Sequence, residues 1–467
     1  MMDKKSLSAY FDQVAPTRLS WIARNHYYHR LLERYFIFHI PPGKRVIEMG
    51  CGPGDLLAAV KPAYGVGIDI SPTMVGIARN RHPYLTFIEM DAESITFNET
   101  FDYIILSDLT GSLWDITEAF SSIQKLCHDR TRVIISFTSY LWEPVMKLGE
   151  LFGLKQRQPV QNWLSSNDIQ NLLHLSGYET ITIEKKILLP KWLPGVTWFC
   201  NRLLANLPLI RDLDMIRIIT ARPVRQREKD YSVSVILPAK NEKGNIEMAI
   251  NRIPVFGKSR EIIFVEGSSS DGTYDEMIRI QRKYPDQNIK VVKQTGKGKG
   301  NAVREGFDVA TGAILMILDA DLTTPPEDLS KFYQALASNT GELINGCRLV
   351  YPLEKQSMRT LNLIANKLFG VFFSFLLGQP LKDTLCGTKV LFKSDYEVIK
   401  DNRHYFGDFD PFGDFDLLFG ASKANMKIIE IPVRYQERIY GSTQISRFRH
   451  GWLLLRMSLY AVRKLLP

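Results

Sequence analysis

Ala313-Ile314-Leu315-Met316-Ile317-Leu318 is a short apolar run with no polar interruption, and it stops at Asp319-Ala320-Asp321. A run of that length and composition predicts a strand buried on both faces of a parallel sheet. Parallel strands need helical crossovers, so the stretch commits its surroundings to an α/β fold. It also sets two carboxylates, one residue apart, on the edge where open α/β sheets bind ligands. Hard divalent cations take oxygen ligands, and Mg²⁺ is usually held by one or two carboxylates together with substrate phosphates. On the triplet alone, a metal-binding pair and a solvated pair capping the turn before Pro325-Pro326 fit equally well.

The flanking sequence decides between them. Residues 232–237 are strand-like and run into Pro238-Ala239-Lys240-Asn241-Glu242. Residues 261–265 form a second apolar strand that ends at Glu266-Gly267-Ser268-Ser269-Ser270-Asp271. An acid and a Ser/Gly loop at a strand end suit the donor groups of a nucleoside. After a third strand at 289–292, Gly296-Lys297-Gly298-Lys299-Gly300-Asn301 leads into a helix. Glycines clear space for phosphate, lysines add point charges, and the helix N-terminus adds its dipole. Such a loop is also a common plain turn, but ahead of an Asp-x-Asp strand end it points to a diphosphate.

In that order the motifs resemble glycosyltransferase family 2, of GT-A fold, and within it the polyprenyl- and dolichyl-phosphate hexosyltransferases, the glucosyl type especially. The resemblance spans residues 231–449 and is carried by 298–306, 319–321, 345–348 and 383–389. Glu266-Gly267 stands where the family usually has Asp-Asp, and Thr388 where an aromatic is common. The resemblance implies a nucleotide sugar, a UDP-sugar by preference, bound by Pro238, Asn241, Glu242, Glu266, Lys297, Lys299, Asp319 and Arg348. It implies Mg²⁺ or Mn²⁺ on Asp319 and Asp321, and an in-line displacement with inversion in which the ion neutralises the leaving group. A lipid-phosphate acceptor is already an anion, whereas a hydroxyl acceptor needs a base. Asp414 and Asp416 are the catalytic candidates beside Asp321, although an Asp at a helix start is ordinarily a cap. Arg434, Arg438 and Ser442 would clamp phosphates, some of them as ordinary surface residues.

The first half carries a second nucleotide-type opening. A strand ending at Val46-Ile47 leads into Glu48-Met49-Gly50-Cys51-Gly52-Pro53-Gly54-Asp55 and then a helix. The glycines alternate at 50, 52 and 54, so the G-x-G-x-x-G dinucleotide fingerprint is not met. Val66-Gly67-Ile68-Asp69 is a second strand ending in an acid that can take both ribose hydroxyls. A third strand ends at Asp91, and strands four and five follow at 101–106 and 132–137. Residues 10–222 resemble class I S-adenosylmethionine-dependent methyltransferases. That implies cofactor binding by Glu48, Gly50, Gly52, Gly54, Asp69 and Asp91, with Asp91 facing the adenine amino group. The methyl acceptor is not legible, and no base stands out. Residues 188–215 hold Trp192, Trp198 and Phe199 between two strand-like runs; an apolar lid over a lipidic acceptor and a packed helical hairpin both explain them.

The expected fold class is therefore α/β with two domains, a Rossmann-like methyltransferase sheet and a GT-A nucleotide-sugar-binding sheet. Residues 1–222 and 231–467 are the expected domains, joined by a charged linker at 223–230 that opens with Pro223. The length of 467 residues allows about two to four domains. Five scattered cysteines without a CxxC pair suggest neither a disulfide framework nor zinc. Asp3, Lys4, Lys5 and Asp12 exclude a signal peptide's apolar core. No apolar run approaches the ~20 residues of a spanning helix. A net charge of +9 suits nucleotide phosphates or anionic lipid; with no nucleic-acid motif beside it, nucleic acid is discounted. Arg449, Arg456 and Arg463 recur on one stripe of an apolar C-terminal helix, which fits an anionic bilayer interface, and a core helix with one wet edge fits as well. The expected place is the cytoplasmic face of a membrane, held peripherally. The competing function is transfer to a glycan hydroxyl in surface-polysaccharide assembly, with the first domain a non-catalytic binding module.

Overall fold

The computed structural model describes residues 4–158, 161–207, 210–224, 230–351, 360–405, 413–438, 440–441, 456–457 and 460–464, and of these the side chains of 360–365, 404 and 414 are not described. The chain forms two compact units, Met1–Arg225 and Gln226–Leu466, each built on a seven-stranded sheet. Among the described residues, no helix is long and apolar enough to cross a membrane.

The first unit runs α1 (Lys4–Arg24), α2 (His26–His39), β1 (Arg45–Met49), α3 (Asp55–Ala59), β2 (Tyr64–Asp69), α4 (Pro72–Arg81), β3 (Thr86–Glu89), β4 (Phe101–Ser107), α5 (Ile116–Ile123), β5 (Cys127–Thr138), α6 (Glu143–Leu151), α7 (Ser166–Leu175), β6 (Tyr178–Lys186), α8 (Val196–Arg202) and β7 (Ile216–Pro223). The sheet order is β3-β2-β1-β4-β5-β7-β6. Strands β1 to β5 are parallel, and β7 is antiparallel to both its neighbours. Both faces are covered, which explains the uninterrupted apolar runs. In β4, Ile104 and Leu106 enter one core cluster, Tyr103 and Ile105 the other. Helix α1 is tied across the strand edge by Asp12, whose carboxylate accepts from Ser71 Oγ at 2.5 Å and Thr73 N at 3.0 Å at the start of α4.

The second unit runs β8 (Ser232–Ala239), α9 (Lys243–Arg252), β9 (Ser259–Glu266), α10 (Thr273–Lys283), β10 (Ile289–Lys293), α11 (Lys299–Val309), β11 (Ile314–Ile317), α12 (Leu329–Ala337), β12 (Leu343–Cys347), α13 (Thr360–Leu377), β13 (Lys389–Phe392), α14 (Lys393–Asp401), α15 (Asp414–Lys423) and β14 (Ile428–Pro432). The order is β10-β9-β8-β11-β13-β12-β14. Strands β8 to β11 are parallel, while β13 is antiparallel to β11 and β12. Every residue of β11 is buried, as its apolar run requires.

Both sheets reverse their strand order beside the first strand of the unit, between β1 and β4 and between β8 and β11. Connections leave in opposite directions there, so a crevice opens beyond the carboxyl ends of those strands.

At the opposite edge of the second sheet, Glu261 fastens the loop before β11. Its Oε1 accepts from Thr311 N at 2.6 Å, Thr311 Oγ1 at 2.9 Å and Gly312 N at 3.2 Å, and also from Ser234 Oγ. Lys290 pairs with its other oxygen at 2.6 Å. Burial alone would raise the Glu261 pKa, but these bonds to the charged form outweigh it and bring it to about 2. The folded pKa lies below the unfolded one, so this stabilisation is complete above the unfolded value of about 4.5 and is lost as pH falls toward about 2. Glu261→Gln is expected to lower the denaturant-unfolding free energy by about 1.5–3 kcal/mol at neutral pH, with the deficit shrinking on acidification across that window.

Candidate functional sites

In the first unit, the turn after β1 is shaped by Gly50, at φ +66, where an added Cβ would come within 2.7 Å of Leu109 Cδ1. The loops after β1 and β4 therefore touch. Asp69, ending β2, accepts from Gly52 N at 2.9 Å and from Ser71 N at 3.0 Å. Burial raises its pKa against the pull of those two N–H groups. Glu48 is buried and accepts from Leu57 N at 3.0 Å, so it fastens the start of α3. Burial pushes its pKa well up.

A cavity of about 580 Å³ lies over this edge. Gly50, Gly52, Asp69 and Asp91 line it, whereas Glu48 and Gly54 stand behind its wall. Its roof is one face of α1, with Leu7, Phe11, Val14, Arg18 and Trp21 at helical spacing. Lys4 at the start of that helix pairs with Asp91 at 2.8 Å and Glu93 at 2.7 Å. The cavity also takes in Tyr28, His29 and Asp108, which the sequence reading missed. Asp108 could have been flagged, since it directly follows an expected strand. Nothing in the sequence places Tyr28 or Arg18 there. In the segment before β7, Trp192, Leu193, Trp198 and Leu203 are exposed, while Thr197 and Ala205 are buried.

In the second unit, Asn241, Glu242, Lys299, Asp319, Asp321 and Arg438 come together at the β8/β11 edge. Lys299 Nζ lies 2.5 Å from Asp319. Burial would raise the Asp319 pKa, but Lys299, then Arg348 and Lys389, hold it below the usual value. Asp321 accepts from Thr323 N at 3.1 Å and Thr323 Oγ1 at 2.8 Å. Arg438 bridges Asp321 at 2.6 Å and Glu242 at 2.8 Å. It thus sits on the acids of this edge. Glu242 also accepts from Asn245 Nδ2 at 2.7 Å, and its pKa is raised by burial against Arg438. Asn241, at φ +56, accepts from Ser270 N at 2.9 Å. Glu266 ends β9 and accepts from Ser269 N at 2.5 Å. Pro238 lies within β8 and Lys297 is exposed on its loop.

The other expected residues that are described have partners of their own. The Arg348 guanidinium is forked onto the fully buried Asp383 at 2.7 and 2.8 Å, with Asn366 adding a bond at 2.9 Å. Asp416 pairs with Arg403 at 3.0 Å. Arg434 is exposed and lies 4.9 Å from the Tyr351 ring. The side chain of Asp414 and all of Ser442 and Arg449 lie outside the described residues. Asp271, which accepts from Lys243 N at 3.2 Å and Tyr440 OH at 3.2 Å, was quoted in its loop without a role. No cluster of three or more His, Cys, Asp or Glu suited to a metal occurs among the described residues.

Residues 20–183 match the family model described as methyltransferase domain, and residues 234–399 match that of glycosyl transferase family 2. The chain joins a methyltransferase domain to a family 2 glycosyltransferase domain. Its second half is 29% identical over 238 residues to a dolichol-phosphate mannosyltransferase of Pyrococcus furiosus, covering 48% of this chain and 64% of that protein. A polyprenol monophosphomannose synthase of Mycolicibacterium smegmatis is 27% identical over 221 residues, covering 45% of this chain and 80% of that one. A solved S-adenosylmethionine-dependent methyltransferase from Mesorhizobium loti gives a TM-score of 0.32 at 18% identity, over 39% of this chain and 91% of that one. At that score the likeness adds nothing to the fold described above.

The two arginine and lysine environments give opposite expectations. A Cβ on Gly387 would collide with both Asp319 Oδ2 and Lys299 Nζ. Gly387→Ala is expected to cut glycosyl transfer by about tenfold or more through a ~1 Å displacement of that pair, with the melting temperature little changed. Arg348→Ala leaves Asp383 buried without its partner and is expected to cost about 3–5 kcal/mol in stability, read by denaturant unfolding.

Proposed function

We propose that the second unit transfers a hexose from a nucleotide sugar to a polyprenyl-phosphate-type lipid with inversion, and that the first unit methylates an acceptor with S-adenosylmethionine. The proposed domain limits are 1–222 and 231–467. The single observation that carries the glycosyltransferase reading is the edge between β8 and β11. Three carboxylates meet there, and each is already matched by a cationic side chain, Lys299 on Asp319 and Arg438 on Asp321 and Glu242. A site that attracts cations and also carries its own is suited to a metal–diphosphate.

The donor set fits a hard cation: Asp319 and Asp321 supply carboxylate oxygens from one strand end, and a sugar diphosphate can supply the rest. Mg²⁺ or Mn²⁺ held there would neutralise the charge that develops on the leaving diphosphate. Lys299 and Arg438 add fixed positive charge at the same edge, and Asn241, Glu242 and Glu266 shape the pocket for the nucleoside. A phosphate acceptor is nucleophilic as it arrives, so no side chain has to take its proton. The relatives named above are a dolichol-phosphate mannosyltransferase and a polyprenol monophosphomannose synthase, which supports a lipid-phosphate acceptor and makes mannose a sugar to test beside UDP-linked hexoses. Peripheral attachment at the cytoplasmic face of a membrane follows from such an acceptor.

For the first unit, the cavity volume of about 580 Å³ lies in the range of small-molecule sites. The Asp69 oxygens each retain a lone pair beyond their backbone bonds, enough for ribose hydroxyls. S-adenosylmethionine supplies an electrophilic methyl group when bound. Arg18 faces the same cavity and would pair with the cofactor's carboxylate, while Asp91 exchanges Lys4 for the adenine amino group.

Product mass spectrometry on the full chain tests the reading, using UDP- and GDP-hexoses with polyprenyl phosphate or oligosaccharide acceptors, with and without Mn²⁺. A hexosyl-phospho-polyprenol that needs the metal, and whose formation falls about 1,000-fold in Asp321→Asn, is expected. Product on oligosaccharide alone would overturn the lipid acceptor.

A further inference from the structure

Methyl transfer to a hydroxyl needs a group to take the acceptor's proton. Asp108 directly follows β4, at the point where the strand order reverses against β1. Met49 pairs with Leu106, and Leu109 touches Gly50, so Asp108 stands beside the glycine turn of the expected cofactor site. It holds a left-handed backbone, φ +53, a conformation that costs a non-glycine residue about 1–3 kcal/mol and gathers at functional sites. Ser136 fixes that loop: Asp108 N donates to its Oγ at 3.1 Å and to its carbonyl at 3.0 Å.

The carboxylate is aimed into the cavity. Tyr28 OH donates to Asp108 Oδ2 at 2.5 Å, and Ser136 Oγ reaches Oδ1 at 3.3 Å. Burial raises the pKa of Asp108 against the Tyr28 bond, which makes it a stronger base than an ordinary carboxylate. The neighbouring His29 is driven down to about 4, first by burial and then by Arg18.

The rest of the cavity sets the body of the acceptor. Leu148, Phe152 and Leu154 line it and are also 54%, 72% and 56% exposed, so an apolar strip passes from the cavity to the surface, beside a polar stretch of Lys155, Gln156, Gln158 and Gln161. Trp142 ties this wall to the exposed apolar segment before β7 by donating Nε1–H to Leu213 O at 2.7 Å. A polar acceptor would leave these side chains wet, whereas an apolar chain lying along them removes that surface from water at about 25 cal/mol per Å².

We infer that the methyl acceptor of the first unit is a hydroxyl carried on an apolar molecule, with Asp108 as the group that takes its proton and the α6 wall as the seat of its apolar part. This rests on the reading of the first unit as an S-adenosylmethionine-dependent methyltransferase. The acceptor's O–H proton passes to the Asp108 carboxylate as its oxygen forms the O–CH₃ bond. The S–CH₃ electron pair remains on sulfur, giving neutral S-adenosylhomocysteine, and Asp108 then releases the proton to water. Tyr28 is a positioning residue that holds the carboxylate toward the cavity.

The test uses the full chain with tritium-labelled S-adenosylmethionine and 4-octylphenol, decanol, 4-octylaniline or 4-methylphenol as acceptor. Label is expected in the long-chain hydroxyl probes and not in the aniline, and at least about tenfold more slowly in 4-methylphenol. Asp108→Ala is expected to slow the transfer about 100-fold or more, while cofactor affinity by calorimetry stays within about threefold; Tyr28→Phe, which keeps the carboxylate, is expected to slow it less. A second readout needs no cofactor: by tryptophan quenching, the wild-type chain is expected to bind 4-octylphenol more tightly than octylbenzene, and Asp108→Ala to lose that preference. Cofactor binding with label only in the aniline, with none in either hydroxyl probe, or with Asp108→Ala at the wild-type rate, overturns this inference alone. Failure of the wild-type chain to bind S-adenosylmethionine overturns the methyltransferase reading beneath it.

Discussion

A carboxylate at the carboxyl end of a buried parallel strand, where the strand order reverses, is the arrangement on which both units depend. Such a group is half out of water and must be satisfied by donors or cations. The two units solve this differently. In the first, backbone N–H groups hold the acids: Leu57 N on Glu48, and Gly52 N and Ser71 N on Asp69. Those bonds fix the loop whether or not a ligand is present. In the second, side-chain cations hold them: Lys299 on Asp319, and Arg438 on Asp321 and Glu242. A lysine or arginine side chain can rotate away from its acid, whereas a backbone N–H cannot.

The strands that carry these acids were legible because burial on both faces forbids polar interruption. Residues 313–318 hold β11, buried between parallel β8 and antiparallel β13, and 101–106 fall within β4, parallel to both its neighbours and polar only at Asp102. Strands β12, β13 and β14 of the second sheet, where β13 runs antiparallel between β11 and β12, were not legible. Each carries a polar residue, Asn345, Lys389 and Glu430, which breaks the apolar run that marked β11. Asp319, Asp321, Lys299 and Glu242 were named from their motifs and do gather at one edge. Arg348 was named from a motif too, but its fork is committed to Asp383, a pairing between residues 35 positions apart that no local pattern announces.

The first unit hid more. Helices α1 and α2 precede the first recognisable strand, and only the fold lays them over the cavity. Lys4, Arg18, Tyr28 and His29 therefore meet Asp91 and Asp108 across long stretches of chain. Asp108 was one residue beyond visible: the strand before it was read, but a lone acid after a strand has no partner in sequence. Trp192, Trp198 and Leu203 of the segment before β7 are exposed, so their apolar character does not come from a place in the core.

Calorimetry of the full chain with two ligands, S-adenosylmethionine and UDP with Mn²⁺, tests the central claim most directly. Asp69→Ala is expected to weaken the first about tenfold or more and leave the second unchanged, and Asp321→Ala to do the reverse. Unchanged affinity for a ligand whose strand-end acid has been removed would contradict the account.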